Sequence, residues 1–73
     1  GVSPYPAKDV ISIQSNDWGT VVTAEIYDIT GKLTQTSQVN NGFIDVTFLH
    51  SGVYLLVAKN DEGKLATQKF IKQ

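Results

Sequence analysis

His50 is the one imidazole of this chain, and Ser51 follows it in a predicted turn. A serine and a histidine adjacent in sequence do not form a catalytic pair, because nucleophile, base and orienting acid must converge in space from separate positions. We therefore expect His50 to be a solvated turn residue. No other combination of side chains indicates a nucleophile with its base, so we expect the chain not to be an enzyme.

The carboxylates lie in or beside predicted turns, at Asp9, Asp28, Asp45, Asp61 and Glu62. Ca²⁺ requires six to eight oxygen ligands from a cluster, and two neighbouring acids do not supply them. The chain has no cysteine for a thiolate metal site, and its glycines are scattered rather than grouped into a phosphate-binding loop. We expect turn capping to account for the acids, with no cofactor and no metal.

The aromatic residues raise a different possibility, which is binding. Trp18 lies in a loop predicted over Ser15–Gly19, where an exposed indole could contact a carbohydrate or a protein. The alternative, which we favour, is that Trp18 covers one open end of the fold. Tyr54 alternates with Leu56 and Ala58, so we expect it in the core with its hydroxyl bonded to a backbone carbonyl or water.

Length and charge narrow the class of protein. The chain has 73 residues, enough for one domain, and six lysines against seven acids give a net charge of −1. This balance argues against nucleic-acid binding and against adhesion to anionic membranes. No apolar run approaches the roughly 20 residues that span a bilayer. Because the chain starts at Gly1, without a basic and apolar leader, we expect a piece of a longer polypeptide.

Hydrophobic residues alternate with polar ones at the period of a β-strand, and turn signals recur roughly every ten residues. In the segment Val22–Tyr27, the pattern predicts that Val22, Ala24 and Ile26 face inward. Val53–Ala58 is apolar on both faces and is predicted to be the central, most buried strand. The predicted strands are Val10–Ile13, Val22–Tyr27, Lys32–Val39, Phe43–Thr47, Val53–Ala58 and Leu65–Lys72.

Three hairpin turns are predicted between these strands, and Phe48–Gly52 is predicted to turn a further corner. Asp28 can accept hydrogen bonds from amides two residues on, and Gly31 supplies the positive φ of a bulged hairpin. Asn40-Asn41-Gly42 predicts a second hairpin and Asn60-Asp61-Glu62-Gly63 a third. Ser3-Pro4-Tyr5-Pro6 reads as an extended lead-in or edge. The fold class is all-β, a small immunoglobulin-like antiparallel β-sandwich of six or seven strands, with a five-stranded OB-type barrel as the alternative.

Four motifs follow one another in a specific order and end at the last residue. They are a Pro-x-Pro opening (Pro4, Pro6), an Asp-x-x-Gly-Lys hairpin (Asp28, Gly31, Lys32), a Leu-x-x-Gly-x-Tyr motif (Leu49, Gly52, Tyr54), and a terminal basic and apolar motif (Lys69, Phe70, Ile71, Lys72, Gln73). In this order the chain resembles the type A C-terminal sorting domain of the bacterial type IX (Por) secretion system. Tyr5 stands where that family usually has asparagine. The resemblance covers Pro4 to Gln73.

The resemblance implies a single non-catalytic sorting domain over residues 1–73, folded as a seven-stranded immunoglobulin-like sandwich. It implies a larger cargo protein on the N-terminal side, which reaches the periplasm of a Gram-negative bacterium and then passes the outer-membrane translocon. Shuttle and sortase proteins of that membrane are the implied partners, and the cargo ends at the cell surface or is secreted. Lys69–Gln73 is the part that the family uses most directly as an export signal.

A C-terminal edge strand suggests how such a signal is recognised. A strand with free backbone groups can add to a partner's sheet. Phe70 and Ile71 face opposite sides, so one can anchor the strand while the other is offered outward, and Lys69 and Lys72 would keep the edge soluble. Pairing of two such edges would give a dimer. The alternative function is an immunoglobulin-like module that binds carbohydrate or protein through Trp18 and neighbouring loops.

Overall fold

The computed structural model describes residues 2–13 and 17–73, so Ser15 and Asn16 of the predicted loop lie outside the described residues. These residues form seven strands in two antiparallel sheets, ordered β1-β2-β5 and β4-β3-β6-β7. The two sheets confirm the small β-sandwich. The strands are β1 Val2–Ser3, β2 Val10–Ile13, β3 Val21–Asp28, β4 Leu33–Gln38, β5 Phe43–Asp45, β6 Gly52–Asn60 and β7 Leu65–Lys72.

Side chains from both sheets meet in one hydrophobic core. Ile11 and Ile44 pair across β2 and β5, and both are buried against Ile26 and Leu56 of the larger sheet. The rings of Tyr54 and Phe70 stack with centroids 5.6 Å apart. Because each strand contributes alternate residues, the core forms where the period-2 pattern predicts it. The core cluster consists of Ala7, Ile11, Ala24, Ile26, Ile44, Val46, Tyr54, Leu56 and Phe70.

The beginning of β3 departs from simple alternation. A bulge between Val21 and Thr23 shifts the pairing with β6. Val21 is therefore buried, whereas Val22 is 37% exposed, so the prediction that Val22 faces inward with Ala24 and Ile26 is wrong. A bulge inserts one extra residue, and every side chain before it changes face.

Strand β6 lies between β3 and β7, which confirms its predicted central position. Its inner face is buried, but Val53 is 38% exposed and Leu55 is 42% exposed on the outer face. The expectation that both faces are buried is therefore wrong. A sandwich of two sheets covers only one face of each sheet, so apolar residues on the other face remain at the surface.

The turn at Asn41 and Gly42 has the positive φ angles expected of a two-residue hairpin, 53° and 82°. It nevertheless joins strands that do not form a ladder, since Asn40 and Phe43 make a single bridge. Before this turn, β4 pairs with β3 in the larger sheet; after it, β5 pairs with β2 in the smaller sheet. The turn was predicted correctly, but it serves as the crossing point between the two sheets.

Candidate functional site

The last five residues, Lys69–Gln73, differ in exposure because successive side chains along β7 face opposite sides of the sheet. Phe70 is fully buried, and Lys72 on the same face is only 6% exposed. Lys69 and Gln73 are exposed, and Ile71 is half-buried. Phe70 therefore anchors the strand while Ile71 points to the other side, as predicted. Lys72 does not act as an exposed gatekeeper of the edge, because the period of two places it on the face of Phe70.

The edge of β7 is covered at its C-terminal end by the N-terminal segment. The Ala7 amide donates to the Ile71 carbonyl at 2.7 Å, and the Gln73 amide donates to the Ala7 carbonyl at 2.7 Å. These bonds form a parallel bridge between Ala7 and Lys72, and Ala7 itself is 0% exposed. We refer to this bridge as the terminal clasp. The free edge expected over the whole terminal motif is therefore limited to its earlier part, before Ile71.

Pro4 and Pro6 lie in the segment that leads into the clasp. Both are exposed, and they separate β1, which pairs with β2 in the smaller sheet, from Ala7, which joins the larger sheet. A proline cannot donate a backbone hydrogen bond, so this crossing segment does not extend either ladder. The Pro-x-Pro motif thus marks where the chain changes sheets.

The motif at Asp28, Gly31 and Lys32 closes the hairpin between β3 and β4. Asp28 Oδ1 accepts hydrogen bonds from the Thr30 amide at 2.9 Å, the Thr30 hydroxyl at 2.6 Å and the Lys32 amide at 3.1 Å. Gly31 has a φ of 88°, a conformation that favours glycine. The Thr30 hydroxyl and the two amides lower the pKa of Asp28, since they stabilise its ionised form. The predicted turn is confirmed.

A second hairpin, between β6 and β7, repeats this scheme with an amide in place of the carboxylate. Asn60 Oδ1 accepts from the Glu62 amide at 2.9 Å and from the Lys64 amide at 2.8 Å. Asn60 also donates from Nδ2 to the Trp18 carbonyl at 2.7 Å, and it is only 2% exposed. Sequence reasoning missed this connecting role. The signal was present, because Asn60-x-x-Gly63-Lys64 has the spacing of Asp28-x-x-Gly31-Lys32.

The Leu49, Gly52 and Tyr54 motif forms the corner that leads into β6. Leu49 packs against the core, and Gly52 has a φ of 155°, which side chains rarely adopt. The Tyr54 hydroxyl donates to the His50 carbonyl at 2.7 Å, which confirms the predicted bond to a backbone carbonyl. His50 is an exposed turn residue, as expected, and takes part in this bond through its backbone.

The outer face of the larger sheet carries a groove that sequence reasoning did not anticipate. Its volume is about 540 Å³. Tyr27 lies directly opposite Leu55 in the pairing of β3 and β6, and Leu55 lies opposite Lys69 of β7. The lining residues are Tyr27, Asp28, Ile29, Gly31, Val53, Tyr54, Leu55, Val57 and Lys69. The groove therefore connects the Asp28 hairpin with the first residue of the terminal motif.

No set of three or more acidic or histidine side chains is placed to hold a metal ion in residues 2–13 and 17–73. Asp45 caps its own turn, and the Thr47 hydroxyl and amide lower its pKa, with a smaller contribution from Lys72. Trp18 is half-buried, and its carbonyl is bonded to Asn60. In the same described residues, no helix has the length and apolar character needed to cross a membrane.

Comparison with known proteins supports the family resemblance that the order of the four motifs indicates. The family model described as "Secretion system C-terminal sorting domain" matches residues 1–73. Beta-agarase D of Zobellia galactanivorans is 33% identical over 70 residues, which is 96% of this chain and 14% of that protein. Domains of this kind are type IX sorting signals, and they mark the polypeptide that carries them as secreted or surface-attached. The chain thus belongs to the family of secretion-system C-terminal sorting domains.

Proposed function

We propose that this domain directs a cargo protein, joined to it on the N-terminal side, through the outer-membrane type IX translocon. The cargo first reaches the periplasm and is then attached to the cell surface or released. The match of the sorting-domain family to residues 1–73 carries the proposal. The domain itself acts by binding, and its partners are the translocon and the shuttle and sortase proteins of the outer membrane.

We further propose that the machinery reads the folded domain, through the side chains of the terminal motif that remain accessible. Lys69 and Gln73 are exposed and Ile71 is half-buried, whereas Phe70 belongs to the core. Strand addition is favoured beside Thr67 and Lys69, since β7 ends the larger sheet and the terminal clasp begins only at Ile71. In this proposal Phe70 holds the signal in position and is not itself contacted.

A reporter protein fused ahead of residues 1–73 tests the proposal in a host that carries a type IX system. We expect the reporter on the cell surface or in the medium. Deletion of residues 69–73 is expected to abolish export, but it also removes Phe70 from the core. The double variant Lys69→Ala, Ile71→Ala is a sharper test, because it leaves Phe70 in place.

Lys64→Ala, Leu65→Ala is the matched control. It also replaces one lysine and one aliphatic residue near or within β7, and Leu65 is 65% exposed. We expect this control to be exported normally and the Lys69, Ile71 variant to accumulate in the periplasm, with both domains folded by circular dichroism. Retention of the unmodified fusion in the periplasm contradicts the sorting function. Normal export of the Lys69, Ile71 variant contradicts the assignment of the signal to these side chains.

A further inference from the structure

The groove on the outer face leaves apolar side chains of central strands exposed. Leu55 is 42% exposed and Val53 is 38% exposed, although β6 lies in the middle of its sheet. Exposure of these side chains forfeits the stabilisation that burial of apolar surface provides, which a small domain needs. A contiguous apolar patch on a soluble domain commonly marks an interaction site.

The size of this open depression can accommodate a side chain of a partner. A volume of about 540 Å³ lies within the range of about 300–1,000 Å³ typical of ligand-binding sites. Tyr27 and Leu55 lie directly opposite each other within the lining, and Val57 lies two residues further along β6, on the same face. Ile29 and Gly31 line the groove at its hairpin end. The lining is chemically suited to an aliphatic group.

The charged side chains around the groove indicate which charge a ligand should carry. The Tyr27 hydroxyl donates to Glu25 Oε1 at 3.0 Å, and Asp28 Oδ1 is occupied by the hairpin donors. Lys69 borders the groove, and the one ion pair among residues 2–13 and 17–73 joins Lys64 to Glu62 instead. The groove therefore offers a cation without an internal carboxylate partner, beside carboxylates that are already hydrogen-bonded.

A second copy of this chain would fit less well, because its own groove presents the same lysine while Glu25 and Asp28 keep their internal donors. A fatty acid would supply an aliphatic chain and a carboxylate. However, the groove reaches β7, whose outer edge ends the sheet and offers backbone groups before Ile71. Backbone groups at a sheet edge are matched by a polypeptide.

We propose that the groove docks a polypeptide segment of the secretion machinery that presents an aliphatic side chain next to a carboxylate. The aliphatic side chain packs against the outer surface of Tyr27 and Leu55, and the carboxylate pairs with Lys69. This inference rests on the proposed sorting function and adds a second recognition surface to the terminal motif. Its main contact, Leu55, lies outside that motif.

Leu55→Asn in the reporter fusion tests the groove. We expect extracellular reporter to fall about tenfold or more, the size of effect produced by truncating a central interface residue. Phe48→Asn is the matched control, since Phe48 is 90% exposed in a turn and does not line the groove, and it should be exported normally. For the charge, Lys69→Glu should lower export while Lys69→Arg retains it. Unchanged urea midpoints should show that all four variants are folded.

Four results would overturn the inference. The first is normal export of Leu55→Asn, and the second is an equal loss with Phe48→Asn. The third is normal export of Lys69→Glu. That result would show that the ligand does not present a carboxylate to Lys69. Self-association of the unmodified chain in sedimentation, abolished by Leu55→Asn, would assign the groove to a second copy and also overturn it. Failure of the sorting function is distinguishable, because the unmodified fusion would then stay in the periplasm.

Discussion

Replacement of Asn60 by alanine should destabilise the domain far more than its position in a surface hairpin suggests. Asn60 is only 2% exposed. Its side chain makes three hydrogen bonds, which connect the Glu62 and Lys64 amides with the Trp18 carbonyl. The substitution removes all of them and leaves their backbone partners without a replacement where water has little access.

The magnitude follows from these contacts. Each bond contributes about 1 kcal/mol to the free energy of unfolding, so the expected loss is about 3 kcal/mol. A domain of 73 residues has a total stability of roughly 4–11 kcal/mol, estimated from about 0.05–0.15 kcal/mol per residue. The variant should therefore remain folded at room temperature but unfold at a clearly lower denaturant concentration. With a urea slope of about 1 kcal/mol/M, the midpoint should fall by about 3 M.

Urea unfolding followed by far-UV circular dichroism and by the fluorescence of Trp18, the one tryptophan, measures this shift. Asp28→Ala is the matched control, because Asp28 bonds two equivalent amides in the other hairpin but is only half-buried. Water can replace its contacts, so the midpoint should fall less. A midpoint shift for Asn60→Ala no larger than that of the control would refute the reasoning that burial makes these bonds strong.

Three further predictions concern stability. Phe70→Ala should lower the free energy of unfolding by about 3–5 kcal/mol in the same assay, because Phe70 is fully buried; a loss below about 1 kcal/mol would contradict its anchoring role. Tyr54→Phe should lose about 1 kcal/mol, the contribution of its bond to the His50 carbonyl, and an unchanged midpoint would contradict this. Folding lowers the pKa values of Asp28 and Asp45, so the ionised carboxylates stabilise the folded state. This contribution to the free energy of unfolding is fully present above the ordinary pKa of an aspartate, about 4, and is lost as the pH falls below that value. The double variant Asp28→Asn, Asp45→Asn should reduce the difference in urea midpoint between pH 7 and pH 3, and an unaltered difference would exclude these carboxylates as its source.

Local sequence patterns were sufficient to predict most of the strands and turns. Alternation placed Tyr54, Leu56 and Ala58 on one buried face, and the spacing of Asp28 and Gly31 specified a capped hairpin. Both features depend on residues within a few positions of one another. Such short-range rules are independent of how the sheets are finally arranged.

The errors concern contacts that depend on the whole fold. The burial of Lys72 and the exposure of Leu55 follow from which face of the larger sheet the smaller sheet covers. Similarly, the bulge that turns Val22 outward is visible only in the pairing of β3 with β6. The groove was missed for the same reason, since an apolar strand pattern does not reveal whether a second layer covers it.

The terminal clasp also has a mechanical consequence. Ala7 runs parallel to Lys72, so a pull on the N-terminal side and an opposite pull on the C-terminus act along the two segments in opposite directions. Both hydrogen bonds of the clasp are then loaded together in shear, instead of being opened one after the other. Once the pairing of β1 with β2 has given way, tension between a cargo and a held C-terminus would therefore be resisted at Ala7. Rupture there would free the backbone groups of Ile71 and Gln73.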